Sequence, residues 1–534
     1  MIEVLNYIWL GVLAVFQGPE LFSILGYGVP ASPVMVLGGL LIGIAVGATP
    51  GLAGPMAMAI SLPILISIFG FTPDALLPVF GFLIGIMKGA TVGGAVPAIL
   101  FNMPGTPDAL MTTLDGHPMA QNGQPRRALK IAQLSSVTGD TFSDLVLFIC
   151  APFLAVFVEA YLDLPEKTTL LILSISFIAA VMGGSVGRGL LSVGLGLLAA
   201  FVGTGQSLTP RLTAGVEGLS NGFPLVAAIL GVLILGEIFK SFEDTIRNAV
   251  RKAKAAAPPP VGLIDDLEKG DIRRIAPHVA RSAVIGTIIG ALPGVGSTLA
   301  ATLSYTVGRR RHEKTHGNEE PRFGYGAPEG IAATEAANSA VSGANLIPVL
   351  SLGISGNAAA VFLILAADSI GGFNPGPAVF NFTSPDINPE LVTAFGIFTF
   401  MSIGNLLNWT IGGRFMRSMG VLARVLSPIL LPVVLLLTLT AIYVQETSLF
   451  ALWVTFAFGV LGYLFRRSDI PVLPFVIAFI LAGPLEQTAR EAFAASGGDS
   501  WFLFRSATSV IFMTAAIASV VLLGRGRQAG GSGK

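Results

Sequence analysis

Apolar stretches long enough to cross a bilayer recur along the whole chain, and no other property of the sequence limits its fold as much. A helix needs about 20 apolar residues to span the hydrocarbon core. Segments 168–182, 223–239, 391–411, 426–443, 449–465 and 506–523 meet or approach that length. The expected fold is an all-α polytopic membrane protein of about 12 membrane segments, some of them re-entrant or broken helices. Only 12% of the residues are charged, against roughly 25% in soluble domains, and the mean hydropathy is +0.77. No stretch reads as an extramembrane domain.

The first residues, MIEVLNYIWLGVLAVF, have neither a basic leader nor a small-residue cleavage site, so no removable signal peptide is expected. The single cysteine, Cys150, excludes an internal disulfide and any multi-cysteine metal site. Formal charge sums to +0, but the basic residues gather in short loops: Arg126, Arg127 and Lys130; Arg247 to Arg274; Arg309, Arg310, Arg311 and Lys314; Arg414 to Arg424; Arg466 and Arg467; Arg525 and Arg527. By the positive-inside rule these loops face the cytoplasm. Because they alternate with spans and carry few aromatics, they do not read as a nucleic-acid surface.

The chain carries internal similarity. Gly47-Ala-Thr-Pro-Gly51 recurs as Gly290-Ala-Leu-Pro-Gly294, Pro97-Ala-Ile-Leu-Phe-Asn-Met-Pro-Gly105 matches Pro348-Val-Leu-Ser-Leu-Gly-Ile-Ser-Gly356, and 166–203 aligns with 446–483. Three matches in one order indicate a duplication, with a first repeat over 1–240, a cytoplasmic linker over 241–277 and a second repeat over 278–534. The linker holds the Pro-Pro-Pro260 run and an amphipathic helix over 242–255. Basic residues follow the second motif in the first half and the first motif in the second half, as an inverted repeat predicts. Tracing spans through 166–203 and 446–483 instead gives those segments one orientation, because 391–443 holds an extra span. The sequence leaves both topologies open.

Pro-Gly breaks at membrane depth are tolerated only within protein or beside a water-filled cavity. Here they occur at related positions: Pro50-Gly51, Pro104-Gly105, Pro293-Gly294 and Ser355-Gly356. A half-helix beginning at a break offers free N–H groups and a positive dipole end that suit an anion, and the carbonyls of an opposing half-helix suit Na⁺. Paired breaks therefore point to a midplane site for an anion and a coupling cation. Any one such break read alone is a kink.

These residues resemble a known family. Gly47 to Gly51, Lys88-Gly-Ala-Thr-Val-Gly-Gly-Ala-Val-Pro-Ala-Ile-Leu-Phe-Asn-Met-Pro-Gly-Thr-Pro107, Asp115-Gly-His-Pro-Met-Ala120 and the run from Phe323 through Glu329 and Glu335 to Asn338 are similar to the large membrane subunit of the tripartite tricarboxylate transporters. The resemblance runs essentially end to end. It implies a multi-pass permease of the bacterial inner membrane, working with a small membrane subunit and a periplasmic solute-binding protein that delivers a carboxylate. The second hairpin departs from the family pattern, reading Ser355 before Gly356 where Pro is usual and Asn357 after it where Ser or Thr is usual; Ser339 stands where Asn is common.

The expected carboxylate site comprises Asn102, Pro104, Gly105, Thr106, Ser355, Gly356 and Asn357. The expected cation site comprises Pro50, Gly51, Pro293, Gly294, Glu335 and Asn338, with Na⁺ or H⁺ as coupling ion and no cofactor. Asp108 and Asp115 read as cap and turn residues, Asp368 falls beside the second motif, Glu335 lines a cavity, and Lys88 either attracts a carboxylate or snorkels to the interface. His312-Glu313-x-x-His316 matches the zinc-protease pattern, which makes an intramembrane metalloprotease the alternative. Its setting in a charged stretch ending at Gly317 reads instead as a hydrophilic loop. The terminal Gly-Gly-Ser-Gly-Lys534 does not fit a P-loop, so no ATP hydrolysis, and no enzyme activity, is expected.

Overall fold

The structure, a computed structural model, describes residues 2–24, 26–49, 52–103, 107–182, 185–203, 209–249, 267–268, 270–292, 296–316, 321–382, 386–419, 432, 435–436, 438–440, 442–443 and 446–531. In chain order its helices are α1 (Ile2–Gln17), α2 (Ala31–Gly47), α3 (Gly54–Phe69), α4 (Leu76–Gly93), α5 (Ala95–Phe101), α6 (Thr113–Gln121), α7 (Pro125–Tyr161), α8 (Leu164–Val181), α9 (Val186–Ala200), α10 (Leu225–Leu230) and α11 (Gly236–Ala249). They continue as α12 (Asp271–Gly290), α13 (Ser297–His316), α14 (Pro328–Ala344), α15 (Leu346–Leu352), α16 (Ala358–Ile370), α17 (Pro389–Leu407), α18 (Gly413–Ser418), α19 (Leu449–Arg467), α20 (Val472–Ala495) and α21 (Ala507–Gly531). One antiparallel hairpin, β1 (Glu20–Ile24) with β2 (Tyr27–Pro30), joins α1 to α2.

The chain is a helical, polytopic membrane protein. Among the described residues seven helical segments are long and apolar enough to cross a bilayer: Pro73–Phe101, Pro125–Val158, Leu164–Val181, Leu225–Glu243, Pro389–Met416, Leu449–Arg467 and Val472–Ala495. Shorter apolar helices lie at Val4–Gln17, Ala31–Gly47, Gly54–Phe69, Val186–Ala200, Ala358–Ile370 and Ala507–Leu522. Most of 426–443 lies outside the described residues.

The described residues of 1–155, 252–292 and 296–430 form one compact unit. In it α2 and α4 run parallel with backbone touching backbone. A Cβ on Gly43 would lie 2.5 Å from the Ile86 carbonyl oxygen, and Cβ atoms on Gly39, Gly47, Gly85, Gly89 and Gly93 would collide with main-chain atoms of the facing helix. Lipid supplies no hydrophobic drive between helices, so close packing through small residues does the work instead. The pair α12 and α14 repeats the arrangement, with Gly286 against the Ala337 carbonyl and Gly290 against Val341 and Ala344.

Helix ends also correspond. α2 stops at Gly47 and α12 at Gly290, each capped by the next alanine. α4 gives way to the short α5, and α14 to the short α15. α5 and α15 each close with a left-handed residue, Asn102 (φ 55°) and Gly353 (φ 70°). The next N–H then reaches back to the proline inside the short helix: Met103 N to Pro97 O at 3.2 Å, Ile354 N to Pro348 O at 3.1 Å. This bond, spanning six positions, satisfies a carbonyl that the helix end leaves orphaned.

The described residues of 156–251 and 431–531 form a second compact unit. There the π-turn Gly231–Leu235 between α10 and α11 frees carbonyls, and Arg466 of α19 donates to Val232 O and Leu233 O at 2.8 Å each while its Nε bonds Glu237 at 2.6 Å. Arg211 pairs with Glu486 at 2.9 Å.

Two expectations are corrected. The charged stretch around His312 is not a loop: α13 carries helix through His316, and Arg309 pairs with Glu313 one turn on at 2.8 Å. The helix expected over 242–255 begins earlier, because α11 continues a membrane-length segment; 250–266 lies outside the described residues.

The glycine contacts give a direct expectation. Gly43→Val and Gly286→Val each force two backbones apart and destabilise the fold by about 2 kcal/mol or more. Gly194→Ala, where nothing lies within 4 Å of the new methyl group, leaves it unchanged or slightly more stable. Thermal unfolding of the purified chain in detergent checks all three.

Candidate functional site

The hairpin tips fall at helix ends, as the broken-helix reading requires. Asn102 caps α5 in the left-handed region and is exposed, while Pro104, Gly105 and Thr106 lie outside the described residues. On the second tip Ser355 is buried, and its hydroxyl donates to the Asn357 carbonyl at 2.9 Å. Asn357 is the N-cap of α16, its Oδ1 accepting from Ala360 N at 2.8 Å. The Ser355 hydroxyl hydrogen and the Asn357 Oδ1 are therefore used in the turn, which leaves the Asn357 amide N–H groups and the free backbone N–H groups of the first turn of α16 as what the second tip offers an anion. Among the described residues no hydrogen bond joins Asn102 to Ser355 or Asn357.

Of the residues expected at the cation site, Pro50, Gly51, Pro293 and Gly294 lie outside the described residues. α2 and α12 end at Gly47 and Gly290, each three residues before its Pro-Gly pair. Glu335 and Asn338 sit one turn apart on α14, a helix buried along its whole length. The Glu335 carboxylate accepts from Thr112 Oγ1 at 2.5 Å and Ser136 Oγ at 2.9 Å. It thus joins three segments at a fully buried point.

Lys88 does not snorkel. It is 1% exposed, its stem lies in the gap left by Gly404, and its Nζ donates to Asp140 Oδ2 at 2.8 Å, Asp144 Oδ2 at 2.7 Å and Asn405 Oδ1 at 3.0 Å. Asn405 Nδ2 in turn donates to Asp144 Oδ2 at 2.7 Å. The reading of the sequence singled out Lys88 but passed over both aspartates. The signal was there: two carboxylates four positions apart face one way on a helix, and α7 carries no other charged side chain between Lys130 and Glu159. Ionisable residues inside a membrane segment mark a site by default.

Asp108 and Asp115 hold structure. Asp108 Oδ1 accepts from Thr298 Oγ1 in the first turn of α13 at 2.6 Å. Asp115 Oδ1 accepts from Gly324 N, Gly326 N and Ala327 N at 2.7, 3.0 and 2.9 Å, gripping the loop that leads into α14. A Cβ on Gly330 would collide with that carboxylate, so only glycine admits it. Of the His312-Glu313-x-x-His316 pattern, His312 packs on Phe323 at 5.4 Å between ring centroids, and the His316 side chain lies outside the described residues.

Residues 34–477 match the family model described as "Tripartite tricarboxylate transporter TctA family". The chain belongs to that family. A protein of Agrobacterium vitis described as "Uncharacterized 52.8 kDa protein in TAR-I ttuC' 3'region" is 32% identical over 509 residues, covering 93% of this chain and 95% of its own length. A second, from the same organism and described as "Uncharacterized protein in TAR-II ttuC' 3'region", is 31% identical over 241 residues, covering 44% of this chain and 89% of its own. No solved structure matches. As a member of a transporter family the chain is a membrane transport component and not an enzyme.

Membership gives the buried charges a setting, and their balance gives an expectation. Lys88→Met leaves two carboxylates side by side without their cation and destabilises the chain by about 3–5 kcal/mol. Adding Asp140→Asn and Asp144→Asn to that variant recovers most of the loss, read as the midpoint of thermal unfolding.

Proposed function

We propose that this chain is the permease subunit of a binding-protein-dependent secondary transporter that imports tri- or dicarboxylates with Na⁺ or H⁺. It works in a bacterial inner membrane with a small membrane subunit and a periplasmic solute-binding protein. The observation that carries the reading is the pairing of α4–α5 with α14–α15: each pair is a long buried helix broken one residue before a short one, closed by a left-handed cap and a backbone bond reaching six positions back to a proline. Two such hairpins, each packed through glycines on a parallel helix that itself ends in a Gly-Ala turn, support an internal repeat, and the swapped loop charges support its inversion. Broken helices in both halves are how transporters of this architecture build a site at mid-depth.

In this reading the cargo carboxylates lie at the tips formed by Asn102 to Thr106 and Ser355 to Asn357. N–H groups at the start of the following helices meet the negative charge. The coupling cation lies at the Pro50-Gly51 and Pro293-Gly294 breaks, with Glu335 and Asn338 near it. The Ser355 hydroxyl and the Asn357 Oδ1, being occupied in the turn, shape the tip, and its backbone and the Asn357 amide N–H groups are left for the cargo. Alternating access then moves the hairpins against the helices that carry them.

Gly356→Leu places a side chain where the backbone must meet the cargo. Uptake of labelled citrate by proteoliposomes holding the chain and its partners is expected to fall at least about 100-fold, the loss of roughly 3 kcal/mol of interaction. Membrane insertion and monodispersity should stay as in the parent. Unchanged uptake would remove the tips from the site.

A further inference from the structure

Four buried side chains on three membrane-length segments carry an unbalanced charge. Lys88 belongs to Pro73–Phe101, Asp140 and Asp144 to Pro125–Val158, and Asn405 to Pro389–Met416. Lys88 spends all three ammonium hydrogens, on Asp140, Asp144 and Asn405, so it is the charged form that this geometry fits. Against its single positive charge stand two carboxylates. With both ionised the cluster keeps one net negative charge among buried side chains, and an uncompensated buried charge is removed by neutralising it.

The two aspartates are not equivalent. Asp144 Oδ2 accepts from both Lys88 and Asn405, which holds its charge in place. Asp140 Oδ2 accepts from Lys88 alone. The second oxygen of each, Asp140 Oδ1 and Asp144 Oδ1, is buried and has no hydrogen-bond partner among the described residues. Asp144 Oδ1 lies against Gly343 of α14. A second small cation would have to sit beside the ammonium that already occupies the space between the carboxylates, and it would be repelled. A proton on an oxygen facing away from Lys88 meets no such repulsion.

We propose that Lys88, Asp140, Asp144 and Asn405 form the ion-coupling site of the transporter, with one exchangeable proton carried by Asp140. Loading forms the O–H bond on Asp140 Oδ1 with a proton delivered by water and makes the cluster neutral. Release returns the proton to water and leaves one negative charge. Lys88 is the fixed counter-ion of Asp144 in both states. Among the described residues Glu335 on α14 is a further ionisable group turned toward this length of α7, bonding Ser136 one turn before Asp140; α2, packed on α4, carries no ionisable side chain. The proposal rests on the transport reading, chooses H⁺ as its coupling ion and places that ion at this cluster in preference to the Pro50-Gly51 and Pro293-Gly294 breaks.

Infrared difference spectra of the purified full chain in lipid nanodiscs, recorded across a pH titration, read the proton without cargo, partners or transport. A failure here is therefore separate from a failure of the permease reading. The expected result is a protonated carboxylic-acid band that is lost at alkaline pH with release of one proton per chain, lost altogether in Asp140→Asn and retained in Glu335→Gln. Asp140→Asn keeps the side-chain volume and an acceptor for Lys88. Asp144→Asn gives an independent arm: one carboxylate then faces one ammonium, and the band at neutral pH disappears. A band retained in either aspartate variant, a band lost in Glu335→Gln, no titrating band, or a cluster that responds to Na⁺ and not to pH overturns the proposal.

Discussion

The fold rests on backbone meeting backbone at glycine. In lipid, helices gain little from burying apolar side chains against one another, and close approach becomes the main source of cohesion. The four-residue spacing of Gly39, Gly43 and Gly47 on α2, and of Gly81, Gly85, Gly89 and Gly93 on α4, puts one glycine stripe on each helix. Interlocked, the stripes fix α4 and with it the hairpin that continues into α5. Gly286 and Gly290 do the same for α14 and α15. Both tips of the candidate site therefore hang from helices whose position leaves no slack for a methyl group.

That rigidity lets the core hold polarity at a depth where every polar group needs a partner. α7 and α14 run side by side, with Ser136 bonding Glu335, Gly139 beneath the Ala336 carbonyl and Asp144 against Gly343. The Glu335 contacts and the Lys88 cluster thus lie along a shared seam. Irregular backbone is met in the same way. Gln133 Nε2 donates to Asn408 O at 2.9 Å where the helix after α17 widens into a π-turn, as Arg466 does for the π-turn at 231–235. Each irregularity is matched by a side chain long enough to reach it.

Much of this was legible in the residues. The stop of α2 and α12 before their Pro-Gly pairs follows from Pro and Gly, which act on their own backbone, and helical spacing placed Glu335 and Asn338 on one helix; Pro50-Gly51, Pro104-Gly105 and Pro293-Gly294 themselves lie outside the described residues. The structural roles of Asp108 and Asp115 were open on the same ground, though Asp115 turned out to hold a loop far along the chain rather than its own turn. What could not be read depends on partners distant in sequence. Lys88 could be singled out, but whether it snorkels or pairs is decided by Asp140, Asp144 and Asn405, the last more than 300 positions away. α13 was misread because its charges suggested a solvated loop, whereas one-turn pairs such as Arg309 with Glu313 are also what an exposed helix carries.

The central claim is that a chain of this family moves a carboxylate on an ion gradient, through two hairpin tips and without nucleotide chemistry. Concentrative uptake tests it most directly. Proteoliposomes holding the chain with its membrane and periplasmic partners, free of ATP on both sides, are given labelled citrate and an imposed inward gradient of H⁺ or Na⁺. The account predicts accumulation above the external concentration that collapses when the gradient is dissipated. Uptake that needs ATP, or no accumulation of any tri- or dicarboxylate under either gradient, would contradict it.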